Sequence, residues 1–107
     1  MNESLFLKEK EYSFRFKYSR SLVCEFSDLS GDHNKLHIDD EFIKNTKYEK
    51  PIAHGALTVA FISKIIGMHL PGEGALWNEL RIRWNHPIFV DDEVNILAKI
   101  THVSQLA

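Results

Sequence analysis

The chain has 107 residues, enough for one hydrophobic core and too few for two. Its 13 Lys and Arg against 15 Asp and Glu leave a net charge of −2, which excludes the basic surface that drives non-specific nucleic-acid binding. With 44% apolar and 26% charged residues the composition is globular, and the single cysteine, Cys24, excludes an internal disulfide framework or a Cys-rich zinc site. No apolar run reaches the roughly 18 residues of a membrane-spanning helix, so no membrane partner is expected. The start, MNESLFLKEKEYSF, lacks a basic stretch followed by an apolar one. No signal peptide is expected, and a cytoplasmic location is the default.

The first element is a half-buried strand. Tyr12, Phe14, Phe16 and Tyr18 share one face, and Ser13, Arg15 and Lys17 the other. Ser19 can then N-cap a short helix carrying Leu22, Val23, Phe26 and Leu29, which Ser30-Gly31 stops, with Gly31 in the left-handed position. Cys24, without an activating neighbour, reads as a packing residue. Asp39 caps a second short helix, with Asp40 and Glu41 where negative charge suits the dipole. From Ala53 to about Met68 the run AHGALTVAFISKIIGM has almost no polar face, which marks a core helix. Pro71-Gly72-Glu73-Gly74 is a turn. Two strands follow. Leu76, Leu80, Ile82 and Trp84 share a face of the first, and Val94, Ile96, Ala98 and Ile100 a face of the second. Pro87 and Asp91-Asp92 mark the connection between them. The expected class is α+β, a single domain over residues 1–107 with an antiparallel sheet wrapped around one central apolar helix. Three strands are a thin cover for such a helix, so self-association is expected.

Polar chemistry concentrates in Ser30–His37. Asp32 and His37 can share the removal and delivery of a proton, and Asn34 between them can orient either. The competing reading is a capping loop, since Asp, Asn and Gly suit loops for backbone reasons. His54-Gly55 opens the core helix, where N–H groups are unpaired and the dipole is positive. Without a side chain, Gly55 lets a carbonyl approach its N–H, which makes an oxyanion hole possible. The alternative is a glycine needed for helix entry or close packing. Ser63, two turns and a fraction further on, can return toward the same face and donate a hydrogen bond, or can bond its own helix backbone. His54 is given no role. His33, His69, His86 and His102 read as surface or turn residues, and no metal site is expected. Lys64, Arg81 and Arg83 read as a solvated face or as contacts for anionic ligand groups.

Taken together, SGDHNKLHIDDEFIKNTKYEKPIAHGAL and LPGEGALWNELRIRWNHPIFVDDEV resemble the MaoC-like hot-dog dehydratases, in particular the bacterial (R)-specific enoyl-CoA hydratases. The family pattern is Asp-x-Asn-Pro-x-His, then His-Gly opening the central helix, then Leu-Pro-Gly and a Pro-x-x-x-x-Asp turn. Here it stands as Asp32 to His37, His54-Gly55, Leu70-Pro71-Gly72 and Pro87 to Asp92, with Lys35 in place of the proline. The resemblance covers roughly residues 12 to 103. It implies a hot-dog fold and an Asp32/His37 dyad that adds water across a trans-2-enoyl thioester to give an (R)-3-hydroxyacyl product. It implies Gly55 N–H as the thioester-oxygen donor, with Asn34 and Ser63 supporting at the substrate. The substrate is a coenzyme A or acyl-carrier-protein thioester, no cofactor is implied, and the assembly is a homodimer or higher homo-oligomer. A non-catalytic thioester-binding module of the same fold is the reading from a different class. Family members carry two further strands after this point, and the sequence stops at Ala107. A short variant, cover borrowed from a partner and a truncated sequence are the three expectations.

Overall fold

Alternation organises both strands of the structure, a computed structural model that describes residues 10–104. The signal-peptide reading falls largely on residues 1–9, outside the described ones. Strand β1, Glu11–Lys17, half-buries Tyr12, Phe14 and Phe16 and exposes the residues between. Strand β2, Glu93–Lys99, half-buries Val94, Ile96 and Ala98 in the same way. The two pair antiparallel, with Phe14 opposite Ile96 and Phe16 opposite Val94. Apolar residues therefore meet across the ladder on one face, which is the unit of sheet stabilisation.

Between the strands lie α1, Arg20–Ser30, α2, Lys35–Ile38, α3, Asp40–Ile43, and α4, Gly55–Met68. Helix α1 starts where Ser19 Oγ accepts from the Leu22 N–H and stops at Gly31, whose N–H still donates to the Ser27 carbonyl and whose φ of 80° turns the following chain out of the helix. Its buried residues are Val23 and Ser27, one turn apart. Cys24, expected to pack, is instead a free and exposed thiol. It follows Val23 by about 100° around the helix, which turns it off the buried stripe. Leu29 is also exposed. Asp39 caps α3 as expected, accepting from the Phe42 N–H at 3.1 Å.

Helix α4 begins two residues later than expected because residues 51–54 are held in extended form. Ile52 N–H donates to Leu36 O, Ala53 N–H to Ile88 O and Val90 N–H to Pro51 O, at 2.9, 2.7 and 2.9 Å. The helix lies on the sheet through Phe61, whose ring is 4.0 Å from that of Phe16 and 5.6 Å from that of Phe14. Leu57 joins Tyr18, Val23, Ala53 and Val90 in the core. Tyr18, wholly buried, hydrogen-bonds through its hydroxyl to Thr58 Oγ1, which ties the end of β1 to α4. Burial pushes the Tyr18 phenol up from its ordinary pKa, against the pull of the Thr58 bond.

The third expected strand is corrected. Residues 75–84 have no ladder partner among the described residues, and the sheet has two strands. Leu76 is 92% exposed, and Leu80, Ile82 and Trp84 are exposed as well. Alternation sorts side chains to two faces but does not choose a partner edge, and the ladder among the described residues holds β1 and β2 alone. Helix α4 is correspondingly under-covered: Leu57 and Ile65 are its fully buried residues, and Met68 is 64% exposed. Among the described residues no helix is long and apolar enough to cross a membrane.

Candidate active site

Short-range hydrogen bonds build the Asp32 loop. Asp32 N–H donates to Ser30 Oγ at 3.0 Å, and Asp32 Oδ1 accepts from the Asn34 N–H at 3.2 Å. Asn34 Oδ1 in turn accepts from the Leu36 N–H at 2.9 Å and caps α2. That one-turn helix carries His37 back toward the loop. His37 Nε2 stands 3.7 Å from Asp32 Oδ2, with the imidazole 14% and the carboxylate 52% exposed. His37 Nδ1 faces the Ile52 carbonyl. A carbonyl only accepts, so Nδ1 carries the proton and neutral His37 keeps its Nε2 lone pair on the Asp32 side.

His54, given no role from sequence, sits in the middle of this arrangement. Its ring stacks on His37 with centroids 3.7 Å apart and 25° between planes, and only 2% of the residue is exposed. Nε2 lies 3.1 Å from the Asp32 backbone oxygen and 3.1 Å from Ser27 Oγ. The carbonyl again requires an N–H, which leaves Nδ1 as the unprotonated nitrogen. Nδ1 is buried with no hydrogen-bond partner among the described residues. Burial pushes the His54 pKa below its ordinary value; the bond to Asp32 opposes this, and the neighbouring His37 adds to it.

His54 also occupies the N-cap position of α4 but makes no side-chain cap bond. The leading N–H groups of α4 therefore receive no side-chain cap, and the Leu57 N–H donates to the His54 backbone carbonyl at 3.1 Å. Gly55 lines a cavity of about 460 Å³ together with His37, Ile52, Ala53, Trp84 and Pro87. A Cβ at position 55 would lie 2.7 Å from Trp84 Cε2 and 2.8 Å from Trp84 Nε1, so the indole packs where a side chain would begin. Close packing and ligand access are thus both served by the same glycine.

The structure brings Asp32 and His37 together and sets His37 and Gly55 on one cavity. Asp32 reaches that cavity only through His37, and Asn34 shapes the loop without lining it. Ser63 is elsewhere. It is exposed and lines a second cavity, also about 460 Å³, with Val59, Ala60, Gly67, Leu76 and Trp77. Eight residues advance a helix by two turns and about 80°, enough to move Ser63 off the Gly55 face. Arg81 is exposed and donates to Glu79, while Lys64 Nζ lies 3.6 Å above the Phe14 ring. His33, His69, His86 and His102 are exposed, with His86 on the rim of the first cavity.

Asp32, His37 and His54 offer ligand atoms within 4.8 Å of one another, a spacing open to a metal ion. The orientation does not suit one. Stacked rings aim their in-plane lone pairs side by side rather than at one point, and His54 Nε2 is already directed at a carbonyl. The set suits proton transfer: a carboxylate and an imidazole within one-water reach, next to a helix N-terminus that can meet developing negative charge. Sequence reasoning missed His54 and Trp84. The available signals were an N-cap position without Ser, Thr, Asp or Asn, and a large aromatic ring in the segment that packs against a glycine.

The MaoC like domain family matches residues 6–106. The chain is 35% identical over 85 residues to an (R)-specific enoyl-CoA hydratase of Aeromonas caviae, covering 79% of this chain and 63% of that protein. It is 27% identical over 77 residues to a mitochondrial 3-hydroxyacyl-[acyl-carrier-protein] dehydratase of Arabidopsis thaliana, covering 72% of this chain and 45% of that protein. The solved (R)-hydratase of A. caviae, involved in PHA biosynthesis, superposes with a TM-score of 0.87 at 31% identity, over 92% of this chain and 74% of the other. The chain spans about six-tenths of the length of the curated hydratases it matches.

Proposed function

The chain belongs to the MaoC-like family and has its hot-dog fold, with two strands among the described residues, and from that premise we propose that it hydrates trans-2-enoyl-CoA to (R)-3-hydroxyacyl-CoA. The observation that carries the reading is the Asp32–His37 pair, 3.7 Å apart, with His37 on the cavity that Gly55 also lines. In this reading a water lies between the carboxylate and His37 Nε2. Asp32 polarises it, its oxygen bonds to C3, and the C2–C3 double bond becomes a single bond. The proton lost from the water is relayed through the pair, and His37 delivers a proton to C2. The two groups act as one coupled acid–base unit. The Gly55 N–H holds the thioester oxygen while negative charge gathers there. Asn34 supports the site through the loop, by capping α2 and bonding Asp32 Oδ1. Ser63 takes no part at the reacting carbons. No cofactor is required beyond the coenzyme A of the substrate.

Coenzyme A is preferred over acyl carrier protein as the thioester carrier because the 35% identical relative is named for enoyl-CoA. We place the reaction in the cytoplasm, since an exposed, unpaired Cys24 suits a reducing compartment. The working form is a homodimer or higher homo-oligomer. Exposed Leu76, Leu80, Ile82 and Trp84, on a segment without a ladder partner among the described residues, support this. Purified protein added to crotonyl-CoA should abolish the conjugated-enoyl absorbance, and more slowly with the carrier-protein thioester. Unchanged absorbance with both would overturn the enzymatic reading in favour of a non-catalytic thioester-binding module.

A further inference from the structure

We propose that His54 is the positioning residue of this site: its Nε2–H holds the Asp32 backbone and its ring seats His37, so that the pair keeps register with the Gly55 N–H. The proposal rests on the hydratase reading for its kinetic consequence and on geometry alone for its structural one.

Each reacting group needs an anchor. His37 has one in the Ile52 carbonyl, which its Nδ1 faces. Gly55 has one in the helix it begins. Asp32 is the exposed member, on a loop between two helices. Its bonds to Ser30 Oγ and the Asn34 N–H lie within two residues, so they shape the loop without placing it against α4. The bond from His54 Nε2 to the Asp32 carbonyl spans 22 residues and does place it. The same ring lies flat against His37 at 3.7 Å. One side chain therefore touches both members of the pair and is covalently next to the third group.

The local chemistry supports a specialised role. An Asn or Ser at position 54 would cap α4, and the imidazole present does not. Its burial leaves Nδ1 without a partner among the described residues, a penalty that a capping Asn or Ser would not carry. Departures from local rules concentrate at functional sites. Ser27, the other group on Nε2, is buried in α1, so the clamp also fixes the loop relative to that helix.

His54→Phe and His54→Gln test the clamp in the full chain. Phenylalanine keeps a flat ring against His37 and lacks the donor; glutamine carries an amide N–H at a reach close to Nε2. With crotonyl-CoA, kcat of His54→Phe should fall on the order of 10- to 100-fold with KM little changed, as displacement of a reacting group by about an ångström does. His54→Gln should recover most of that loss. Nitrogen-15 imidazole spectra of the unmodified protein should show His54 as the neutral Nε2–H tautomer, and the Asp32 carbonyl carbon shift should move in His54→Phe but not in His54→Gln. A folded His54→Phe variant with normal kcat, a His54→Gln variant as impaired as His54→Phe, or an Nδ1–H tautomer would each overturn the proposal. Should His54→Phe not fold, the tautomer and the His54→Gln rate decide. An unmodified protein inactive on crotonyl-CoA defeats the hydratase reading alone, because the tautomer and the Asp32 carbonyl shift need no turnover.

Discussion

The two ends of helix α4 meet opposite fates. At its N-terminal end, Asp32, His37 and His54 are joined through one another and through the Ile52 and Asp32 carbonyls. Beyond its C-terminal end, residues 75–84 run without a ladder partner among the described residues, with Leu76 92% exposed. Both regions have clear sequence patterns. The difference lies in where the partners are. A capped loop and a one-turn helix complete their hydrogen bonds within a few residues, whereas a strand needs an edge that lies elsewhere in the chain or on another copy.

The largest effect should come from breaking the ordered end chemically. Asp32→Asn and His37→Asn should each lower the hydration kcat by about 10²-fold or more, the usual scale for a general acid or base. Melting temperature should change little for Asp32→Asn, since the carboxylate is 52% exposed. Steady-state rates on folded variants check this, and near-normal turnover in either removes that residue from the pair.

The unpaired segment is sharpened by asking what covers it. Light scattering on dilute protein should give at least a dimeric mass. Leu76→Glu and Ile82→Glu should weaken that assembly by roughly tenfold or more, because each places a charge on apolar surface that a partner would bury. The radius of gyration of one chain, 17.0 Å, exceeds the roughly 13 Å of a compact chain this long, which fits a subunit shaped by neighbours. A well-folded protein with the mass of one chain contradicts the expectation.

Gly55 joins the two regions, because the ring it faces, Trp84, belongs to the unpaired segment. Gly55→Ala puts a methyl group 2.7 Å from the indole, and the ring must move. The variant should lose about 1–3 kcal/mol of stability, the usual cost of overpacking, measured by urea denaturation. Trp84→Leu in the same chain should return much of that loss, since the two changes share one contact. Additive losses would show that the indole does not rest on Gly55 in solution.

How far the sequence was legible follows the same division. Ser19, Gly31, Asp39 and the alternation of Tyr12, Phe14 and Phe16 are local signals, and each stands where its chemistry put it. Asp32 and His37 meet because two capping bonds fold the five intervening residue steps into a turn. Leu76 to Trp84 misled because alternation carries no information about a neighbour. Ser63 lies off the Gly55 face because the fraction beyond two turns is about 80° of rotation, which spacing alone does not weigh. Cys24 misled because its residue type favours burial while its place on α1 does not. His54 was hidden for another reason: its importance depends on a stack and a long-range bond, neither of which has a periodicity.

The smallest effect is in the pH dependence of stability. His54 is buried and neutral, with its folded pKa lowered from 6.5 chiefly by burial. In the unfolded chain the same imidazole titrates near 6.5. Below that pH the unfolded state binds a proton that the native state refuses, so unfolding is favoured as pH falls. The neutral site thus loses stability from about pH 6.5 downward until the folded pKa is reached, and contributes no slope above it. One proton limits the slope to about 1.4 kcal/mol per pH unit. The quantity to measure is the difference between the unmodified protein and His54→Gln, which share every other titratable group. Urea denaturation across pH 5 to 8 should show a steeper acid decline for the unmodified protein and parallel curves above pH 7. Parallel curves throughout would mean that His54 takes up its proton in the folded state, and with it the Nδ1 site assigned here as unprotonated.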